Sequence, residues 1–369
     1  MSLRRFLKMP VLYLISAGIL WTANLPAQNL SELSYEFKYQ RGAIMPHYKS
    51  FKQFMGNRIP TLELNAKWQL SGNKPWHASK KYPRIGFGLF YSDLQHKDIL
   101  GYALGMHALS EFKIVKYKPF SFSFRFSPGL VYLSKKYDMV HNRYNVGIGS
   151  HMNALIQAGF VLNTQISRQL SFAGGLSLIH FSNASFAMPN AGLNQLALSG
   201  ALTYNYSAPV IEKPVFPNFI PEHNFLMIAS GGLHQYRFED ENLYFAGSLQ
   251  AEYEYRITYG SSFSFGADLF YDDALRHFFD SPDFEGSKKL NDWYAGMHLG
   301  YYFYMGDLSG FFHFGHYVKN RPAEGQNIYS RIGLRYTFGR SYLASLGLKT
   351  YYAKADFLEL GVGYYFLQR

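Results

Sequence analysis

Most of the chain alternates apolar and polar residues in segments of about 10–14, separated by turn-forming residues. Side chains of a strand point alternately to its two faces, so this alternation predicts strands with one apolar and one polar face. The first half carries eight such segments, at 31–41, 59–69, 82–93, 99–114, 119–134, 150–166, 169–182 and 194–206. The second half carries eight more, at 222–235, 242–257, 261–272, 291–304, 307–319, 328–338, 341–352 and 357–367. Segments of this length cross a bilayer when tilted. The expected fold is all-β: an antiparallel up-and-down transmembrane β-barrel of about 16 strands.

Between the two sets stand Pro209, Pro214, Pro217 and Pro221. Proline has no N–H to give to a strand ladder, so this stretch reads as a linker. The predicted organisation is a signal peptide at 1–27, a barrel module at 28–208, a Pro-rich linker at 209–221 and a second module at 222–369. An even strand count in each module puts the linker and both ends of the mature chain on the periplasmic side.

The halves read as diverged copies. Gly86 to Leu94 resembles Phe265 to Leu275, Tyr102 to His107 resembles Tyr294 to His298, and Leu176-Ser177-Leu178 corresponds to Leu346-Gly347-Leu348. The pairs fall in matching order on matching strands. The copies could merge into one sixteen-stranded barrel or close as two tandem barrels of eight, and the sequence leaves both open.

Composition fits this reading. The chain has 369 residues, with 31 Tyr and 33 Phe, an aromatic load that suits lipid-facing surface and interfacial belts. Mean hydropathy is only −0.16, as expected when every second residue of a span is apolar. Arg4, Arg5 and Lys8 followed by the apolar stretch 11–21 and Leu25-Pro26-Ala27 form an export signal, with cleavage expected after Ala27. Together these features point to the outer membrane of a Gram-negative bacterium. The net charge of +11 reads as solvated loops beside anionic lipid, not as a nucleic-acid surface. The absence of cysteine removes disulfides, thiolate catalysis and thiolate metal sites.

Candidate chemistry lies on the seventh strand and its hairpin to the eighth. One face of the seventh carries Phe172, Leu176, Leu178, His180 and Ser182; the other carries Ala173, Ser177, Ile179 and Phe181. Asn194 opens the eighth strand in phase with Leu196 and Leu198. His180, Ser182 and Asn194 therefore continue lipid-facing rows. Unpartnered polar groups there cost a few kcal/mol, which mutual hydrogen bonding offsets. A serine beside a histidine that a third group orients is the plan of an activated nucleophile. Other polar groups read as structural. His107 and His298 are expected at structural or interface positions. His313 and His316 are expected on opposite strand faces. Asp272, Asp273, Asp280, Asp283 and Glu285 read as solvated loop acids.

His180-Phe181-Ser182-Asn183, followed by Pro189-Asn190 and Gly192-Leu193-Asn194, resembles the lipid A 3-O-deacylase family, and the first half resembles proteins described as acyloxyacyl hydrolases. The resemblance implies an eight-stranded outer-membrane barrel with a triad on its outer wall. It implies His180 as base, Ser182 as nucleophile and Asn183 as oxyanion donor. The family's acidic triad member corresponds to Asn194, where this chain departs from the pattern. The same site pattern resembles outer-membrane phospholipase A, whose triad is Ser–His–Asn; that alternative implies calcium dependence. The expected function is hydrolysis of an acyl ester of lipid A in the outer leaflet, with outer-leaflet lipid as partner, no nucleic-acid partner and no cofactor. A non-enzymatic porin-like barrel is the further alternative, since sixteen merged strands would enclose a water-filled lumen.

Overall fold

A computed structural model of the chain describes residues 33–46, 48–54, 56, 58–206, 214–240, 242–279, 292–319, 327–351 and 354–368. The export signal, linker residues 209–213 and the acids Asp280, Asp283 and Glu285 lie outside the described residues.

Sixteen strands form two separate sheets, each closed on itself. The first barrel comprises β1 (Leu33–Ile44), β2 (Ile59–Gln69), β3 (Arg84–Asp93), β4 (Tyr102–Tyr117), β5 (Phe120–Leu133), β6 (Met152–Gln165), β7 (Leu170–Ser182) and β8 (Leu193–Asn205). The second comprises β9 (Glu222–His234), β10 (Tyr244–Thr258), β11 (Ser261–Asp272), β12 (Trp293–Met305), β13 (Leu308–Lys319), β14 (Ile328–Phe338), β15 (Tyr342–Tyr351) and β16 (Lys354–Gln368). Every ladder is antiparallel, β1 pairing β8 and β9 pairing β16 to close each wall. The alternative of one merged barrel does not hold. Closure of each half satisfies all its edge groups internally, which a wall in lipid requires. Eight strands leave an interior that side chains fill, so neither barrel has the wide lumen that a porin-like reading needed.

The outer wall is apolar. In the first barrel Phe37, Leu64, Leu89, Met106, Phe160, Leu176 and Leu198 are all exposed; in the second, Met227, Phe265, Leu299, Phe314 and Val362 are. Exposed apolar rows of this extent are what hydrocarbon solvates and water does not. The alternate residues point inward and are buried, for example Ser34, Glu36, Lys38 and Gln40 of β1.

The first barrel's interior is layered. One layer is an ion network. Arg125 donates to Glu36 from Nη1 (2.7 Å) and Nη2 (2.9 Å), and to Glu111 Oε2 (2.7 Å), while Lys38 pairs with Glu63 (3.2 Å). Lys67 completes the set on Glu36. The three buried carboxylates thus meet three buried permanent cations. The other layer is an apolar plug at the end where β7 stops and β8 starts. It joins Phe90, Val131, Leu155, Ile179, Phe181 and Leu193 to Phe51 and Phe54 of the 3-10 turn Lys49–Phe54.

The second barrel encloses a different network. Arg335 bridges Glu252 (2.8 Å), Arg331 bridges Asp268 (3.2 Å) and Glu359 (2.5 Å), and Lys349 pairs with Asp356. Asp272, expected in solvent, is instead buried at the end of β11 against His234 (3.1 Å), because its phase on the strand is inward. His107 and His298 are interior residues, not interfacial ones: His107 Nε2 lies 3.0 Å from Asn65 Oδ1, and His298 Nδ1 lies 2.6 Å from Asp268 Oδ2.

The register places a glycine and a histidine of the two copies in equivalent positions. Gly88 pairs with Asn65 and His107, and Gly266 pairs with Glu252 and His298. A Cβ at either glycine would collide with the neighbouring histidine ring, at 2.4 Å from His107 and 2.5 Å from His298. Both copies keep a glycine because an imidazole occupies its side-chain space.

Removing Arg125 leaves Glu36 and Glu111 buried without their shared cation. Arg125→Met is expected to destabilise the protein by about 3–5 kcal/mol. Urea unfolding of the protein refolded into lipid vesicles, followed by heat-modifiable gel mobility, measures this.

Candidate active site

The site stands on β7 and β8. Ile179 and Phe181 are fully buried in the apolar plug, and Phe181 meets the Phe90 ring edge-on at 5.9 Å. With those two side chains locked inward, His180 and Ser182 must take the outward phase, where Phe172, Leu176 and Leu178 are exposed. A one-residue slip would put the imidazole into the plug and a phenyl ring outside. His180 is half-buried, whereas Ser182, the last residue of β7, is buried.

His180 and Asn194 are direct cross-strand partners. His180 Nδ1–H donates to Asn194 Oδ1 at 2.6 Å. An amide oxygen only accepts, so this bond fixes the proton of the neutral imidazole on Nδ1 and leaves the lone pair on Nε2. That is the tautomer a general base needs. The structure therefore joins the expected base and its expected orienter, and carries the expected nucleophile two residues along the same face.

Asn183 begins the hairpin loop. Its backbone N–H donates to Asn190 Oδ1 (3.1 Å), and its carbonyl accepts from Phe186 N–H (3.1 Å). One hydrogen of its amide goes to Ala187 O (2.8 Å). Ala184 and Ser185 take left-handed backbone conformations, with φ of 56° and 64°, which turn the loop tightly. Asn183 thus braces its own loop, a role the sequence did not reveal.

Gly192 is a second residue whose part emerges only in three dimensions. Its φ is +75°, and a Cβ there would lie 2.9 Å from His180 Cε1. Its N–H donates to Gly147 O (2.9 Å). Backbone thus closes against the edge of the imidazole, where a side chain would push the ring off Asn194. The Gly-Leu-Asn run was visible in the sequence, but the contact needs the hairpin's register.

The counterpart positions of the second barrel differ. Thr350 stands where the repeat aligns His180, and its Oγ1 lies 2.6 Å from Ser330 Oγ; Tyr352, aligned with Ser182, is outside the described residues. His313 and His316 do occupy opposite faces, His313 buried and His316 exposed.

Both barrels resemble known families. Residues 61–203 match the family model of lipid A 3-O-deacylase, which spans the site hairpin. Residues 223–369 match the acyloxyacyl hydrolase C-terminal domain. The two halves of the chain are thus similar to two families of related description, each over about two fifths of its length. The protein is a β-barrel of the Gram-negative outer membrane. Among solved structures, the outer membrane enzyme PagL is 16% identical with a TM-score of 0.31, and the match covers 45% of this chain and 97% of that one. OccAB4 of Acinetobacter baumannii is 15% identical with a TM-score of 0.23, covering 92% of this chain and 98% of that one. CdiB from the same organism is 11% identical with a TM-score of 0.18, covering 92% and 60%. No curated protein matches the chain.

Gly192→Ala should test the ring's confinement. The left-handed backbone costs an alanine about 1–2 kcal/mol, which the barrel tolerates. Displacing the imidazole is expected to lower ester hydrolysis by up to about a hundredfold. Heat-modifiable mobility should stay native while the hydrolysis rate falls; an unchanged rate would show that His180 does not depend on this contact.

Proposed function

We propose that this protein deacylates lipid A as a serine esterase, with Ser182 as nucleophile, His180 as general base and Asn194 as the group that orients His180. The observation that carries this reading is the His180–Asn194 hydrogen bond of 2.6 Å on the lipid-facing phase of the wall. The match of residues 61–203 to the lipid A 3-O-deacylase model supports lipid A as substrate and hydrolysis as reaction.

With both ends of the mature chain periplasmic, β7 runs outward and the pair reaches the outer leaflet. A pair held there would meet the ester bonds of lipid A at their own level, so the substrate would not need to leave the membrane. His180 Nε2 takes the Ser182 proton as Oγ attacks the ester carbonyl carbon. Loop donors, including the second amide hydrogen of Asn183, stabilise the tetrahedral oxyanion. Collapse breaks the bond to the sugar oxygen, which receives the proton from His180. A water, deprotonated by the same histidine, then cleaves the acyl-enzyme to release a fatty acid and restore Ser182.

Asn194 holds the ring in the right tautomer without supplying a negative charge for the imidazolium. The same amide fits the phospholipase alternative, so the substrate assay includes a glycerophospholipid. Calcium separates the two readings, because no step above requires it.

Ser182→Ala is expected to reduce release of fatty acid from lipid A in reconstituted vesicles to background, with the barrel folded and labelling by a fluorophosphonate probe lost. Asn194→Ala should retain labelling but lower the rate by about a hundredfold, the scale of a general base put out of position. Activity should survive a calcium chelator. Undiminished deacylation by Ser182→Ala would overturn the assignment; chelator-sensitive release from glycerophospholipid alone would favour the phospholipase.

A further inference from the structure

The first barrel balances its buried charge and the second does not. Among the described residues, the first buries Glu36, Glu63 and Glu111 with Lys38, Lys67 and Arg125. The second buries five carboxylates, on Glu252, Glu254, Asp268, Asp272 and Glu359, with only three permanent cations, on Arg331, Arg335 and Lys349. Uncompensated carboxylates in a packed interior are costly. Three histidines, His234, His298 and His313, are buried among them.

Two of those histidines converge on one carboxylate. His298 Nε2 lies 3.6 Å from Glu252 Oε1, and His313 Nε2 lies 4.0 Å from the same oxygen. The three ligand atoms all fall within 4.8 Å of one another. His298 Nε2 is buried and has no hydrogen-bond partner, although its other nitrogen is held by Asp268 Oδ2 at 2.6 Å. A histidine whose outer nitrogen is fixed by a carboxylate while the inner one is unpartnered is the arrangement of a metal ligand with its supporting shell. Glu252 is itself held by Arg335, so two of the three groups, Glu252 and His298, are pre-positioned.

The duplication provides an internal control. The register that aligns Gly266 with Gly88 and Gly315 with Gly129 aligns Glu252 with Asn65, His298 with His107, His313 with Ser127 and Asp268 with Phe90. At these aligned positions the first barrel keeps the histidine alone; a carboxylate, Glu63 Oε2, still lies 3.6 Å from His107 Nε2, but no second histidine joins it. There His107 Nε2 lies 3.0 Å from Asn65 Oδ1, and the nitrogen left without a hydrogen bond is Nδ1 instead. The extra ligands and the extra charge of the second barrel thus occur together.

We propose that Glu252, His298 and His313 bind one divalent transition-metal ion of the zinc type inside the second barrel. Two imidazoles and a carboxylate are the donor set such ions prefer. Ligand atoms about 2.0–2.1 Å from an ion sit closer together than these do, so binding draws them inward. The two rings now stack at 4.2 Å, and His313 Nε2 meets the Tyr302 hydroxyl at 3.1 Å. Binding therefore requires His313 to rotate and exchange that hydroxyl for the ion. With no ligand atom reachable from outside the wall, the ion enters as the barrel forms and stays as a structural element.

The test uses the full chain refolded into detergent micelles with Zn²⁺ present, then dialysed against a weak chelator. One retained Zn²⁺ per chain is expected by elemental analysis, with X-ray absorption showing imidazole scattering. His313→Ser and Glu252→Asn, which import the first barrel's residues, should each lose the retained ion, and Asp268→Asn should weaken affinity about 10–100-fold. Heat-modifiable mobility reports whether each variant folds. If none does, the absorption spectrum of the unsubstituted chain decides by itself. Absence of retained Zn²⁺, ligation without imidazole, or full retention by folded His313→Ser would overturn the proposal, the last two marking adventitious binding elsewhere.

Discussion

Closure of each sheet on itself, with side chains alternating between hydrocarbon and a filled interior, is the constraint from which the rest follows. A wall in lipid cannot leave an N–H or C=O unpaired, so the strands must form a complete ring. A ring of eight is too narrow for water to fill, so the inward residues must pack and pair among themselves. Phase along each strand then determines everything a residue can do. Glu36 becomes a network acid because it points inward; His180 meets lipid because Phe181 beside it points inward.

Much of this was legible in the sequence because alternation is a local signal. The segments at 59–69, 261–272 and 328–338 coincide with β2, β11 and β14, and the others differ by a few residues at their ends. The phase of His180, Ser182 and Asn194 could be read by counting in twos. Whether sixteen strands make one ring or two could not, because closure is set by the pairing of β1 with β8, which no short stretch of chain encodes. Asp272 was misjudged for a related reason. An acid followed by another acid looks like a loop, and only the continuing strand shows that it faces inward. Gly192 and Asn183 sat in the recognisable motif, but their contacts depend on how the hairpin folds back, which residue identity does not specify.

The two halves illustrate how a duplicated barrel diverges. The wall is under one demand in both copies and, among the described residues, stays largely apolar. Interiors are freer, since any set of side chains that fills the space and compensates its charges suffices. The first copy solved this with equal numbers of acids and bases beneath an apolar plug; the second substituted stacked histidines, tyrosines and a surplus of acids. The candidate site hairpin belongs to the first copy, and Thr350 in the second shows the same strand position put to structural use.

The amide at Asn194 has a bearing on where such a site can live. A carboxylate in that place would hold a permanent charge against the acyl chains, with a large solvation cost between turnovers. An uncharged imidazole–amide pair rests in the wall at little expense, and in the proposed reaction charge arises only while the ester is being cut. On that proposal the counterion would come from the lipid, whose phosphates lie just beyond the acyl region. An enzyme built this way would be switched on electrostatically by the membrane it modifies.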